Sequence, residues 1–397
     1  MNAVDRMDMR ALLEERRALE GMIARCTLAM ARGADWLIGR FAPAGPIMRE
    51  RDLSYCHKVV WGLYEDGRLE AVERLLDWIA ANARMGMGRY GFPEEPPFNN
   101  EMQLLYRFLT FAKVAERLRH PAFANDETRA EILTYQHPSG GVFGNKDKPQ
   151  YLQTLNPLFT SFFTEWALAA GLVDAAVKSA DFLVHMVELN RPSMEAEPGR
   201  FYFNYDPREG ALVTEPAPGE EINCFVDTVK AKQHFYYIGT AMAALADVYA
   251  LSGHSRYLEA ALALALFEER LNPQGLRWPS YCKIGWGAAE LYAWTGAPAH
   301  RRMAANVSEV TFMVAQTASG GWEDMAYPLR DHGAWETVAY DDGGHANARA
   351  LPRDGSWALL AGEEITGEFL GEMGRTLAVF KAMLGKVEAR LHALEAL

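Results

Sequence analysis

The chain has 397 residues, 49% of them hydrophobic and 23% charged, which predicts a packed globular protein and excludes a disordered or fibrous one. Its formal net charge of −12 offers no basic surface for a polyphosphate, so nucleic acid is not an expected partner. Four scattered cysteines, Cys26, Cys56, Cys224 and Cys282, include no CxxC pair and exclude a disulfide scaffold.

The first segment, MNAVDRMDMRALLEERRALEG, is charged throughout and has no apolar stretch of signal-peptide type. With no run of about eighteen apolar residues anywhere, the expectation is a cytoplasmic protein without a membrane span. Helical periodicity then runs through the whole chain. A leading pair is expected over 10–38 and 51–65, followed by helices near 68–85, 99–118, 126–137, 154–170, 173–190 and 225–251. Further helices are expected near 255–271, 282–295, 298–317 and 364–385. Between them recur glycine–aromatic marks: GMGRYGF (86–92), GGVFG (140–144), GRFYF (199–203), GLRW (275–278) and GGW (320–322). A glycine past the last helical turn is a helix stop, and the aromatic can fold back over the helix end.

Alternate helices differ in character. RLEAVERLLDWIAANAR (68–84) is amphipathic, whereas YYIGTAMAALADVYALSG (236–253) and GWGAAELYAWTG (285–296) are apolar nearly all round and rich in small residues. A helix apolar on every side is buried on every side. The expected fold is therefore all-α: an (α/α)6 toroid of six hairpins, one domain over 1–397. Turns from inner to outer helices are short (EDGR, LRHP, AAGL, LSGH, TGAP). Connections from outer to inner helices are long, near 90–98, 143–153, 203–223 and 323–360, so alternation puts the long loops on one face. The last, rich in Trp, Tyr and acids, is expected to form a lid.

The segment FMVAQTASGGW (312–322) fits F-x3-Q-x3-G-x-W, and ILTYQHPSGGV (132–142) repeats its layout with Val142 in place of Trp. With the hairpin alternation, this resembles the repeats of the terpenoid cyclase and protein prenyltransferase α/α-toroid superfamily. The loop GRFYFNYDPREGALV (199–213) is also similar to a repeat loop of linalool dehydratase-isomerase. That resemblance implies a central cavity in which cysteines do acid–base work. The prenyltransferase and lanthionine cyclase resemblance implies zinc, but Cys-His-Gly and Asp-x-Cys are absent. The helix-borne acid motif DxDD, the diphosphate motif DDxxD and the phosphate loops are absent too, and no cofactor is expected.

If the long loops share a face, the N-termini of the inner helices surround a cavity mouth and present positive dipole ends. Candidate catalytic residues there are His57, Glu101, Asp227, His234, Cys56 and Cys224; candidate substrate-binding residues are Tyr55, Asn100, Asn156, Lys283, Trp286, Trp322, Asp341 and His345. On a helix over 225–251, Cys224, Asp227, Ala231 and His234 would share one face, putting a carboxylate and an imidazole on one wall as an acid–base pair. Asp227 can equally pair with Lys230, and polar helix starts can be ordinary N-caps. Cys56, Cys224 and Cys282 all open inner helices. They read as zinc ligands, as lowered-pKa thiols or as small core hydrophobes.

Three functional readings follow. The first is a cofactor-independent lyase, isomerase or cyclase acting on a small, partly apolar molecule. The second is a carbohydrate-active toroid, epimerase-like or a glycoside hydrolase. The third is a zinc-dependent or purely binding toroid. In each the partner is a small molecule, with a homo-oligomer allowed by the Met-rich N-terminal helix.

Overall fold

The computed structural model describes residues 3–86, 89–95, 104–147, 153–216, 218–219, 221–322, 324–328 and 357–396. Twelve α-helices lie among the described residues, as expected. Those at even positions in chain order are α2 (His57–Glu65), α4 (Leu104–Leu118), α6 (Pro157–Ala169), α8 (Tyr236–Ser252), α10 (Cys282–Thr295) and α12 (Gly362–Glu395). Each packs on the next, and α12 returns to α2, closing an inner ring. The odd helices are α1 (Ala3–Ile38), α3 (Leu69–Asn82), α5 (Asp126–Leu133), α7 (Val173–Glu195), α9 (Ser255–Glu268) and α11 (Pro298–Asn306), the last continuing as a π-helical turn over Val307–Met313. They supply an outer layer: α1 packs on α12, α3 on α2, α7 on α6, α9 on α8 and α11 on α10.

Burial follows the sequence character. Residues 104–116 of α4 and 157–167 of α6 are buried on every side, whereas α3 buries only Val72, Leu75, Leu76 and Ile79. The small residues of the inner helices allow very close crossings. A Cβ on Gly239 of α8 would lie 2.2 Å from the Lys283 carbonyl carbon of α10, and one on Gly367 of α12 would lie 2.6 Å from that of Lys58 on α2. The second crossing sets Lys58 against α12, and the packing of α10 on α12 brings Lys283 to the same helix.

The repeated Gln-x3-Gly-Gly segments are structural equivalents. His137 N–H donates to Gly141 O and Gly140 N–H to His137 O; Thr317 and Gly320–Gly321 repeat both bonds. Gly140 and Gly320 have φ of 98° and 103°, a region that a side chain resists. The Gln136 amide donates to Ala175 O of α7, and the Gln316 amide donates to Ala29 O of α1. Each motif thus ties the end of one outer helix to the next, and the second copy joins the last hairpin to the first.

One predicted helix is corrected. The segment 225–251 does not start as a helix: Phe225–Asp227 is a strand, β8, paired antiparallel with β5, Arg200–Tyr202. Asp227 Oδ1 then accepts from the Val229 and Lys230 amides. An aspartate that takes up backbone N–H groups in this way forms a turn in place of a helix. The helix begins only at Tyr236, so Cys224, Asp227, Ala231 and His234 do not share a helical face. The expected lid over 323–360 is described only at its base, where β9 (Met325–Pro328) pairs with β10 (Trp357–Leu360); the rest lies outside the described residues. No helix among the described residues is long and apolar enough to cross a membrane.

Candidate active site

The axis of the inner ring carries buried charge. Helix α12 bears Glu364, Glu368 and Glu372, each one turn apart, so one face of the helix is a ladder of carboxylates. Lys58 of α2 lies 2.9 Å from Glu364 Oε1 and 2.8 Å from Glu368 Oε2. Lys283 of α10 bonds Glu368 Oε1 and lies 3.0 Å from Glu372 Oε1. Glu368 is therefore held between two ammonium groups. Burial alone would raise its pKa, but Lys283 and Lys58 more than offset that and hold it at about 2. The same competition, burial against Lys58 and His57, keeps Glu364 ionised. Glu372, one turn deeper and fully buried, is raised to about 7 by burial against the weaker pull of Lys283.

His57, a candidate base, is buried beside this ladder. Its Nε2 lies 3.1 Å from Glu364 Oε1 and its Nδ1 2.9 Å from Thr110 Oγ1. A carboxylate only accepts, so Nε2 carries the proton in the neutral ring, and Nδ1 faces the Thr110 hydroxyl, which donates to Arg107 O. Burial lowers the ring's pKa to about 4. With both nitrogens engaged, His57 positions Glu364.

Aromatic rings line the ladder at the end where the inner helices begin. Lys58 Nζ lies 5.5 Å from the Tyr106 ring and Lys283 Nζ 5.8 Å from the Tyr236 ring. His234 stacks on Tyr236 with centroids 5.1 Å apart, Tyr236 meets Tyr237, and Tyr237 stacks on Phe203 at 3.9 Å. Burial holds the His234 ring neutral down to about 4, while the Ile222 carbonyl accepts from one of its nitrogens. Below, Trp61, Phe162 and Trp286 surround Lys113 Nζ at 3.7, 4.6 and 5.3 Å, so the axis is filled by aromatic side chains and is not a pore.

The other predicted residues fall elsewhere. Asp227 caps its turn and lies on the β5–β8 ribbon. Asn156 caps α6, accepting from Phe159 N–H. Cys56 is fully buried and donates to Leu53 O, and burial raises its pKa well above the ordinary thiol value. Cys224 contacts Val213 O, its pKa pushed up by burial to about 11. These thiols have raised pKa values, contrary to the lowered-pKa reading. Trp322 is a core residue, its Nε1 donating to Phe312 O and its ring edge-on to Phe369. Trp286 sits in the plug beneath Lys283, and Tyr55 accepts from Arg49 Nε at 2.7 Å. Glu101, Asn100, Asp341 and His345 lie outside the described residues.

The prediction missed Lys58, Glu372 and Tyr106 and gave Glu368 no role, although a signal was there. Lys58–Trp61–Glu65, Tyr106–Thr110–Lys113–Arg117, Lys283–Trp286–Glu290 and Glu364–Glu368–Glu372–Arg375 each place polar or aromatic residues three or four apart in otherwise buried helices. That spacing marks a functional or structural stripe facing the axis.

No family model matches the sequence, and no curated protein matches it. Solved structures do. A D-mannose isomerase aligns at TM-score 0.57 with 11% identity over 92% of this chain and 97% of its own. A type II terpene cyclase from Scytonema, in complex with geranylgeranyl dihydroxybenzoate, aligns at 0.53 with 13% identity over 91% and 99%. An α-1,6-mannanase of Salegentibacter aligns at 0.52 with 12% identity over 89% and 99%. The fold is an α/α toroid. At these identities the likeness fixes the architecture and leaves the chemistry to the side chains.

Proposed function

We propose that the protein is a cofactor-independent acid–base enzyme that moves a proton next to the carbonyl of a small, neutral, hydroxylated substrate of the sugar type. The observation that carries this reading is Glu368, ionised between Lys58 and Lys283 at the floor of an aromatic-walled site with a neutral imidazole, His234, in the wall. An apolar wall with a few convergent polar groups and perturbed titratable residues is the usual form of a small-molecule site. Neutral His234 takes the carbon-bound proton and later returns it to the neighbouring carbon, while the proton of the adjacent hydroxyl passes to the former carbonyl oxygen, so that the carbonyl moves by one carbon. The ammonium of Lys58 stabilises the charge that develops on the carbonyl oxygen, and Glu368 accepts hydrogen bonds from substrate hydroxyls. Both lysines are neutralised by carboxylates, which favours an uncharged substrate over a phosphate or carboxylate. The mannose isomerase among similar structures adds support at the level of architecture.

A second reading is glycoside hydrolysis, supported by the split between ionised Glu368 and Glu372, which keeps its proton to about pH 7. Full burial of Glu372 beneath Lys283 counts against its reaching a leaving group.

The test is incubation of parent, His234→Ala and Glu368→Gln in D2O with neutral aldoses and ketoses, α-mannosides and isoprenoid alcohols, followed by NMR. Deuterium entry at a carbon next to a sugar carbonyl, lost in both variants, is the expected result. Release of reducing sugar without exchange selects the second reading, and turnover confined to isoprenoid alcohols overturns the substrate class. Exchange that survives both substitutions removes the assigned roles.

A further inference from the structure

Lys283 occupies an unusual position. Cys282 Sγ, Glu368 and Glu372 each offer one donor atom, and the three atoms lie within 4.8 Å of one another in the buried axis. Two carboxylates and a thiol converging from α10 and α12 are a donor set that suits zinc or cobalt. Their shared neighbour is an ammonium: Lys283 Nζ bonds Glu368, lies 3.0 Å from Glu372 Oε1, and is 3.9 Å from Cys282 Sγ. Glu372 is fully buried, and neither of its oxygens makes a well-formed hydrogen bond among the described residues despite the closeness of Lys283. A carboxylate so placed is under-coordinated for its burial, and such a group costs free energy unless a cation compensates it.

We propose that the Lys283 ammonium is the resident cation of a latent Cys282–Glu368–Glu372 metal site, so that the chain fills with its own side chain a position that a divalent metal would otherwise take. The charges fit this assignment. An ammonium between two glutamates supplies one positive charge where zinc would supply two. Beside a metal the Cys282 thiol would give up its proton and serve as a thiolate ligand. The donor atoms need only draw in toward the point Nζ now holds, because zinc takes sulfur at about 2.3 Å and oxygen at about 2.0–2.2 Å. The inference does not rest on the proposed reaction, since its readout is metal content.

The experiment uses the full chain, freed of metal by chelator and titrated with Co2+ and then Zn2+. In Lys283→Ala and Lys283→Met, one equivalent of Co2+ should bind and produce a thiolate-to-cobalt charge-transfer band. Zn2+ should displace it and raise the melting temperature of the variant. Cys282→Ser in the Lys283→Ala background should remove the band. The parent should bind less than one-tenth of an equivalent under the same conditions, which is decidable whatever the variants do. A parent that binds Co2+ through Cys282 overturns the assignment, because the ammonium then does not hold the position. So do folded Lys283 variants that take no metal, and variants that fail to fold both with and without zinc, since zinc would supply the missing charge.

Discussion

The axis of the ring holds two ionic clusters, one buried and built on lysines, the other half-buried and built on arginines. Near the start of the inner helices are Lys58, Lys283, Glu364, Glu368 and Glu372, beside Tyr106, Tyr236 and a neutral His234. Near their ends, Arg375 meets Asp247 and Glu290, and Arg117 meets Glu65. Between the two, Lys113 pairs with Glu165 at 2.8 Å inside the cage of Trp61, Phe162 and Trp286. The far cluster opens on the short-turn face and has an arginine at its centre, a group that stays charged and holds two acids together. The near cluster uses lysines and has a titratable, aromatic-lined neighbourhood at the end where the inner helices begin. Ion pairs along the axis therefore do not by themselves mark a site: the two clusters differ in burial and in the groups beside them, and the near one carries the proposed chemistry.

The sharpest way to break that comparison is to make the same substitution in both clusters. Glu368→Gln should lower kcat/KM by about 10²–10⁴-fold on whichever substrate shows turnover. Glu290→Gln should leave it within the error of steady-state kinetics. Equal losses in both would dissolve the distinction.

The plug comes next. Lys113→Met leaves Glu165 buried without its cation, and urea denaturation should show a loss of about 3–5 kcal/mol. Lys113→Met with Glu165→Leu should recover most of it, because an apolar pair suits this aromatic cage. A double variant no better than the single one would mean that the ion pair is needed for the axial packing.

The crossing that sets Lys283 in place is tested by Gly239→Ala. Its Cβ would lie 2.2 Å from backbone of α10, so a loss of about 1–3 kcal/mol is expected in the same assay. Gly385→Ala, in the same kind of helix but with no atom within 4 Å, should instead gain about 0.5–1 kcal/mol.

The far cluster is also tested by a pH dependence. Burial, then the neighbouring Asp247, raises Glu290 from 4.5 to about 7 against the pull of Arg375. The folded chain thus keeps a proton that the unfolded chain releases above 4.5. The stability linked to Glu290 is complete below pH 4.5 and is lost as the pH rises through about 7. Glu290→Gln cannot titrate, so the melting temperature of the parent relative to the variant should fall between pH 4.5 and 7. A constant difference across that window would place the raised group elsewhere.

Much of this was legible in the chain. Alternating amphipathic and all-round apolar helices, small residues in the second kind, and short against long connections determined the double ring, because periodicity and burial are local properties of each segment. The Gln-x3-Gly-Gly marks pointed to repeated joints, and the structure gives them a purely architectural task. At the site the sequence identified one end of the ring, and with it His57, Lys283 and His234. It placed Asp227 and His234 on one helix, where an aspartate turn and a two-stranded ribbon intervene. It set Glu368 one turn inside its helix, too deep for an ordinary cap, but gave it no named role. What a carboxylate does depends on what crosses the ring to meet it. Lys58 and Glu368 are 310 residues apart, and the close crossing of α2 with α12, together with the packing of α10 on α12, brings the charges of Lys58, Lys283 and Glu368 into contact. Local pattern decides which helices form; the pKa values, the filled axis and the cation between Glu368 and Glu372 arise from neighbours that only tertiary packing supplies.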